Sequence, residues 1–87
     1  MYIILVYDVK TKRNEKIRRL LSPALNHVQE SVFVGTITDK TFRELTQGIK
    51  AIIDKEEDQV LIFKKKGNRP LDTSTLGKID ENGGLCM

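Results

Sequence analysis

The chain opens on a run of apolar positions, Tyr2, Ile3, Ile4, Leu5, Val6 and Tyr7, that stops abruptly at Asp8. Side chains alternate between the faces of a strand, so Ile3, Leu5 and Tyr7 fall on one side and Ile4, Val6 and Asp8 on the other. Both faces are therefore apolar, which predicts a strand with a layer on each side. A small domain covers one face with its own helices, and a second copy of the chain is the simplest cover for the other. After the polar stretch from Lys10 to Asn14, residues Ile17, Leu20, Leu21 and Leu25 recur at helical spacing. Thr11 is the expected cap of this helix, and Pro23 should end it near Ser22. The segment from His27 to Val34 alternates as a second strand, with Val28, Val32 and Val34 on one face and Gln29, Ser31 and Phe33 on the other. Gly35 should break it, leaving Thr36 to Thr38 as a short third strand.

Thr38 or Asp39 then caps a second helix, Thr41 and Glu44 have the spacing of a capping box, and Phe42, Leu45, Ile49, Ile52 and Ile53 form its apolar stripe. Gly48 inside it costs ~1 kcal/mol relative to alanine, which burial of the stripe should outweigh. Beyond the acidic loop at 55–58, Val60 to Phe63 is an apolar run too short for a buried helix and reads as a central strand. The order strand, helix, strand, strand, helix, strand predicts an α+β fold: a ferredoxin-like βαββαβ sandwich whose antiparallel four-stranded sheet carries both helices on one face. Residues 1–66 form this domain. Residues 67–87 are expected to add a C-terminal edge strand packed on a dimer partner, with 82–87 as a loose tail.

Composition narrows the class. A chain of 87 residues is one domain, and at that size folding buries only roughly 60% of the unfolded surface, so association would help. The lone cysteine, Cys86, leaves no partner for an intrachain disulfide, and the apolar opening is too short to span a bilayer and lacks a basic leader. A cytoplasmic protein without membrane contact is the expectation. The net charge of +3 matters less than its distribution, because six of the fifteen basic residues lie between Lys10 and Arg19. A solvated helix face is the ordinary explanation of such a cluster. Here only Glu15 interrupts it, and Lys64, Lys65, Lys66 and Arg69 add a second basic segment. Lys12, Arg13, Lys16, Arg18, Arg19, Lys64, Lys65 and Lys66 are accordingly the candidate contacts to RNA or duplex DNA, made through phosphates and independent of sequence.

The strand end Tyr7-Asp8, the basic first helix and the run Val28-Gln29-Glu30-Ser31-Val32-Phe33-Val34-Gly35 together resemble the small CRISPR-associated adaptation proteins described as endoribonucleases, the second core protein of spacer acquisition. The likeness spans residues 1–63 in order and spacing. It implies a two-fold homodimer whose sheets face each other, C-terminal strands that reach the partner, an integrase subunit as partner, and a metal-binding Asp that falls on Asp8. Hydrolysis of a phosphodiester by Mg²⁺ needs oxygen ligands for the cation. One chain offers a single carboxylate there, and a two-fold axis near the end of the first strand would let two copies of Asp8 share one Mg²⁺. Asp8 is thus the candidate catalytic and metal residue, although turn formation is the ordinary task of an Asp at a strand end. Tyr7, Ser31 and Phe33 are taken as packing at the dimer interface and the site, and His27 as a general base or a plain surface residue. Two other readings stand beside the nuclease: an architectural DNA-binding scaffold without catalysis, and a ferredoxin-like regulatory domain.

Overall fold

The computed structural model describes residues 1–78, so the expected loose tail at 82–87 lies outside the described residues. The elements are β1 (Tyr2–Asp8), α1 (Thr11–Leu21), β2 (Asn26–Gln29), β3 (Val32–Thr36), α2 (Asp39–Ile52), β4 (Gln59–Lys65) and β5 (Asp72–Gly77). They build one antiparallel sheet in the order β2-β3-β1-β4-β5, with β1 between β3 and β4 as its double apolar face requires. This is the ferredoxin-like α+β arrangement with an added edge strand. Within the single chain that edge strand, β5, pairs with β4, Leu61 opposite Thr75 and Phe63 opposite Thr73.

One sheet face carries the core. Ile3, Leu5 and Tyr7 of β1, Phe33 of β3 and Val60 and Ile62 of β4 pack there against Ile17 and Leu21 of α1 and Leu45 and Ile49 of α2, all buried. The opposite face has no cover from the described residues. Cross-strand registry places Val34, Ile4 and Phe63 in one row and Val32, Val6 and Leu61 in the next, all only half-buried. Asp8 ends the same face, opposite Gln59.

Three details differ from the sequence pattern. The hairpin turn falls at Glu30 and Ser31, because Gln29 pairs with Val32, and Gly35 lies inside β3 opposite Ile3. A register irregularity between His27 and Gln29 accommodates the tight connection. Glycine stands at 35 because of crowding: a Cβ there would meet Leu25 Cδ2 at 3.0 Å. Helix α2 is capped by Thr38, whose hydroxyl accepts the Thr41 N–H at 3.1 Å, so the Thr41 and Glu44 pair lies within the helix. Helix α1 begins without a side-chain cap of its own, since Lys10 occupies the cap position and Thr11 is already helical.

Candidate functional site

Asp8 is exposed at the last position of β1, where the strand runs out and two residues lead into α1. The β2–β3 turn is held against this strand end. The Tyr7 N–H donates to the Ser31 carbonyl at 3.0 Å, and the Tyr7 hydroxyl donates to the Glu30 carbonyl at 3.1 Å. The same carbonyl lies 3.0 Å from His27 Nε2. A carbonyl has no proton to give, so Nε2 is the donor. The His27 ring stacks on Phe33 with centroids 4.6 Å apart. These contacts leave a cleft of about 400 Å³ whose wall includes Asp8, Asn14, Arg18, His27, Glu30 and Ser31.

Tyr7 and Phe33, expected at the dimer interface, instead lie on the core side of the sheet, 3% and 0% exposed. Burial pushes the Tyr7 phenol above its ordinary value, against the opposing influence of Arg18. Ser31, expected on a strand, sits in the turn and lines the cleft. Among the described residues no three His, Cys, Asp or Glu come together as a metal cluster. The donor set nonetheless fits a hydrated Mg²⁺: an exposed carboxylate at a strand end, beside a hydroxyl and with room for water, is the kind of anchor this ion uses.

The candidate cationic contacts divide. Arg13 turns inward, its guanidinium bonded to Asp58 and, at 2.8 Å, to Glu57. Arg18 and Arg19 share Glu15 at 3.5 and 3.3 Å, pairs that are exposed and weak enough to exchange for a phosphate. Lys12 and Lys16 make no ion pair among the described residues. Lys64 reaches Asp72 at 3.4 Å and lies over the Phe42 ring, Lys66 reaches Asp39 at 3.1 Å, and Lys65 donates to the Arg69 carbonyl. Bonding to Lys66 holds the Asp39 carboxyl below its usual value. Lys65 pairs with Tyr2 while Gln59 pairs with Asp8, so within one chain the second basic segment is ~20 Å from the acid along the strand.

The sequence shows Asp58 only as part of an acidic loop, yet it is the one charged side chain the fold buries completely among the described residues, 0% exposed. Its carboxylate accepts the Lys10 N–H at 2.9 Å, the Asp54 N–H at 2.8 Å and two donors of Arg13. Burial pushes this carboxyl upward, but the bonds from Arg13 and the two amides outweigh it and hold the group at about 2. The same bonds, to Asp58 and then Glu57, raise Arg13 above its ordinary value. An Asp at the end of an acidic loop, one polar residue before an apolar run, is the only trace of this in the sequence, and partners 45 and 48 residues away leave no local pattern.

An antiparallel sandwich with one uncovered apolar face, an exposed acid at the end of that face and a polar cleft beside the acid defines a small ferredoxin-like protein. Comparison with known proteins gives the family. Residues 1–69 match the model of CRISPR associated protein Cas2. The chain is 41% identical over 78 residues to the CRISPR-associated endoribonuclease Cas2 of Pyrococcus furiosus, covering 90% of this chain and 92% of that one. It is 35% identical over 77 residues to the protein of the same name from Methanothermobacter thermautotrophicus, covering 88% and 85%. Among solved structures, Streptococcus pyogenes Cas2 superposes with a TM-score of 0.71 at 27% identity over 78% of this chain and 89% of that chain. A second Cas2 structure does so with 0.69 at 31% identity over 83% and 94%. The chain belongs to the Cas2 family.

Proposed function

We propose that this protein is a metal-dependent endoribonuclease of CRISPR adaptation that works as a homodimer, with two copies of Asp8 forming one site. The observation that carries this reading is the position of Asp8: exposed at the end of the uncovered apolar sheet face and on the wall of a polar cleft. Burying the rows of Val34, Ile4 and Phe63 and of Val32, Val6 and Leu61 against a second copy satisfies that face, and near its edge the two acids converge. Asp8 of each chain would hold Mg²⁺, which when bound activates water and offsets charge developing on the phosphate. Arg18 in the same cleft draws in a phosphate, and the exposed basic residues Lys12, Lys16 and Arg19, with Lys64, Lys65 and Lys66 at the far end, hold flanking phosphates of RNA or duplex DNA. Hydrolysis then joins the water oxygen to phosphorus as the P–O bond to the leaving oxygen breaks, and a water proton ends on that oxygen. Membership of the Cas2 family supports a CRISPR-associated integrase as the partner in this reading.

A second reading, an architectural nucleic-acid scaffold without catalysis, draws support from the exposed cations Lys12, Lys16, Arg18 and Arg19, which can hold phosphates whether or not Asp8 acts. Cleavage of single-stranded RNA with Mg²⁺ by wild type and by Asp8→Asn decides between them. The nuclease reading expects cleavage by wild type alone. Cleavage by neither, with nucleic-acid binding retained in both, leaves the scaffold.

A further inference from the structure

We propose that Asp58 and Arg13 form a positioning clamp that sets Asp8 and the first helix in their working geometry, and that Arg13 is not a phosphate contact. This rests on the nuclease reading above. Burying a carboxylate in so small a domain is costly unless every lone pair is used, and Asp58 accepts four hydrogen bonds, about the full capacity of the group. Its partners come from separate segments. Lys10 is two residues past Asp8, Arg13 is in the first turn of α1, and Asp54 follows α2. The Asp58 backbone carbonyl also accepts the Lys78 N–H at 2.6 Å, and its neighbour Gln59 is the cross-strand partner of Asp8.

Two consequences bear on the site. Helix α1 has no side-chain cap of its own, and Asp58 supplies both an acceptor and a negative charge at that end from across the fold. The point where the chain turns from Asp8 into the helix is thereby fixed. Successive helical residues are rotated by ~100°, so drawing Arg13 toward Asp58 sets the roll of α1 that turns Asn14 and Arg18 toward the cleft. Acid and cation of the candidate site are oriented by one buried pair that touches neither substrate nor metal.

The test uses full-length Asp58→Asn, which keeps the shape and loses the charge, and Arg13→Lys, which keeps the charge and loses the fork. Leu45→Ala serves as a core-destabilised control remote from the clamp. Mg²⁺-dependent RNA cleavage is measured per folded molecule, with amide hydrogen exchange on the same samples. The clamp expects kcat to fall about tenfold or more in both clamp variants with KM for RNA within about twofold, and kcat to hold in Leu45→Ala. It also expects exchange to quicken selectively from Val9 to Arg13. A rise in KM with unchanged kcat in Arg13→Lys would make Arg13 a phosphate contact and overturn the proposal, as would a kcat that tracks stability in all three variants. A wild type that does not cleave refutes the nuclease reading instead. The clamp is then judged on exchange, which supports it if loss of protection is confined to Val9 to Arg13 and overturns it if the loss is uniform or absent.

Discussion

A Cβ on Gly77 would sit 2.2 Å from the carbonyl oxygen of Asp58 and 3.1 Å from Ile53 Cδ1. Gly77 also has φ of +86°, a region that costs a side-chain-bearing residue energy by itself. The contact is with backbone, which cannot swing away as a side-chain tip can. Gly77→Ala should therefore destabilise the protein by ~2 kcal/mol or more, from backbone strain and the forced shift of β5 together. The urea midpoint of the variant against wild type checks this, and an equal midpoint would refute it.

Acid should weaken the fold through Asp58. Its carboxyl is held at about 2, below the roughly 4 of an unfolded Asp. The unfolded chain thus takes up the proton first as pH falls. The stabilisation is complete above pH ~4 and is lost as pH falls toward 2, amounting to ~2 kcal/mol. Asp58→Asn should be less stable than wild type near neutrality by ~3 kcal/mol, because Arg13 loses its buried partner and keeps only the exposed Glu57. That gap should narrow between pH 4 and pH 2 in urea titrations, and a gap independent of pH would contradict the assignment.

The elements legible in the sequence were those whose signals are local. β1 and β4 show their apolar runs, and α2 shows its stripe of Leu45 and Ile49, both buried. Even the exposed acid at the end of β1 could be read there. What escaped depends on contacts between distant segments. Gly35 looks like a strand breaker but makes room for Leu25, and Gly48 looks like a cost but lets α1 approach α2, a Cβ there meeting Leu20 Cδ1 at 2.8 Å. The turn at Glu30 and Ser31 carries no glycine, proline or asparagine to announce it. The inward turn of Arg13 was hidden because a basic residue in a basic helix looks the same whether it faces water or a buried acid.

The open sheet face gives a prediction about association. Val6 and Leu61 are cross-strand neighbours in the middle of that face and are only half-buried in the single chain. Val6→Glu and Leu61→Glu should shift the proposed dimer to monomer in sedimentation velocity while leaving helix content by circular dichroism unchanged. Core substitutions such as Phe33→Ala should instead cost ~3 to 5 kcal/mol of stability. Variants that stay dimeric would move the interface elsewhere.

The exposed cations predict a phosphate-led mode of binding. Each neutralised phosphate releases condensed counterions, so nucleic-acid affinity should fall steeply with salt. Charge reversal at Arg18 and Arg19 should weaken binding to unrelated sequences alike and flatten the salt dependence, read by fluorescence anisotropy. Arg13→Glu should act differently, by lowering stability, since its side chain is paired with Asp58 and Glu57. Strong sequence selectivity, or binding indifferent to salt, would exclude contact through phosphates.

Melting curves test the shared Asp8 site independently of catalysis. Two carboxylates held close about a two-fold axis repel each other in the absence of a cation, so Asp8→Asn should melt no lower than metal-free wild type. On the proposed function Mg²⁺ binds the assembled site and not the unfolded chains, so it should raise the melting temperature of wild type progressively with its concentration. The variant keeps the shape of the side chain but loses the charge, so its melting temperature should not respond. The test is selective because Asp8 is exposed and carries none of the core packing that Tyr7 beside it provides. An equal response of both proteins to Mg²⁺ would place the cation away from Asp8, and a lowered melting temperature of the metal-free variant would show that the acid serves the fold rather than the site.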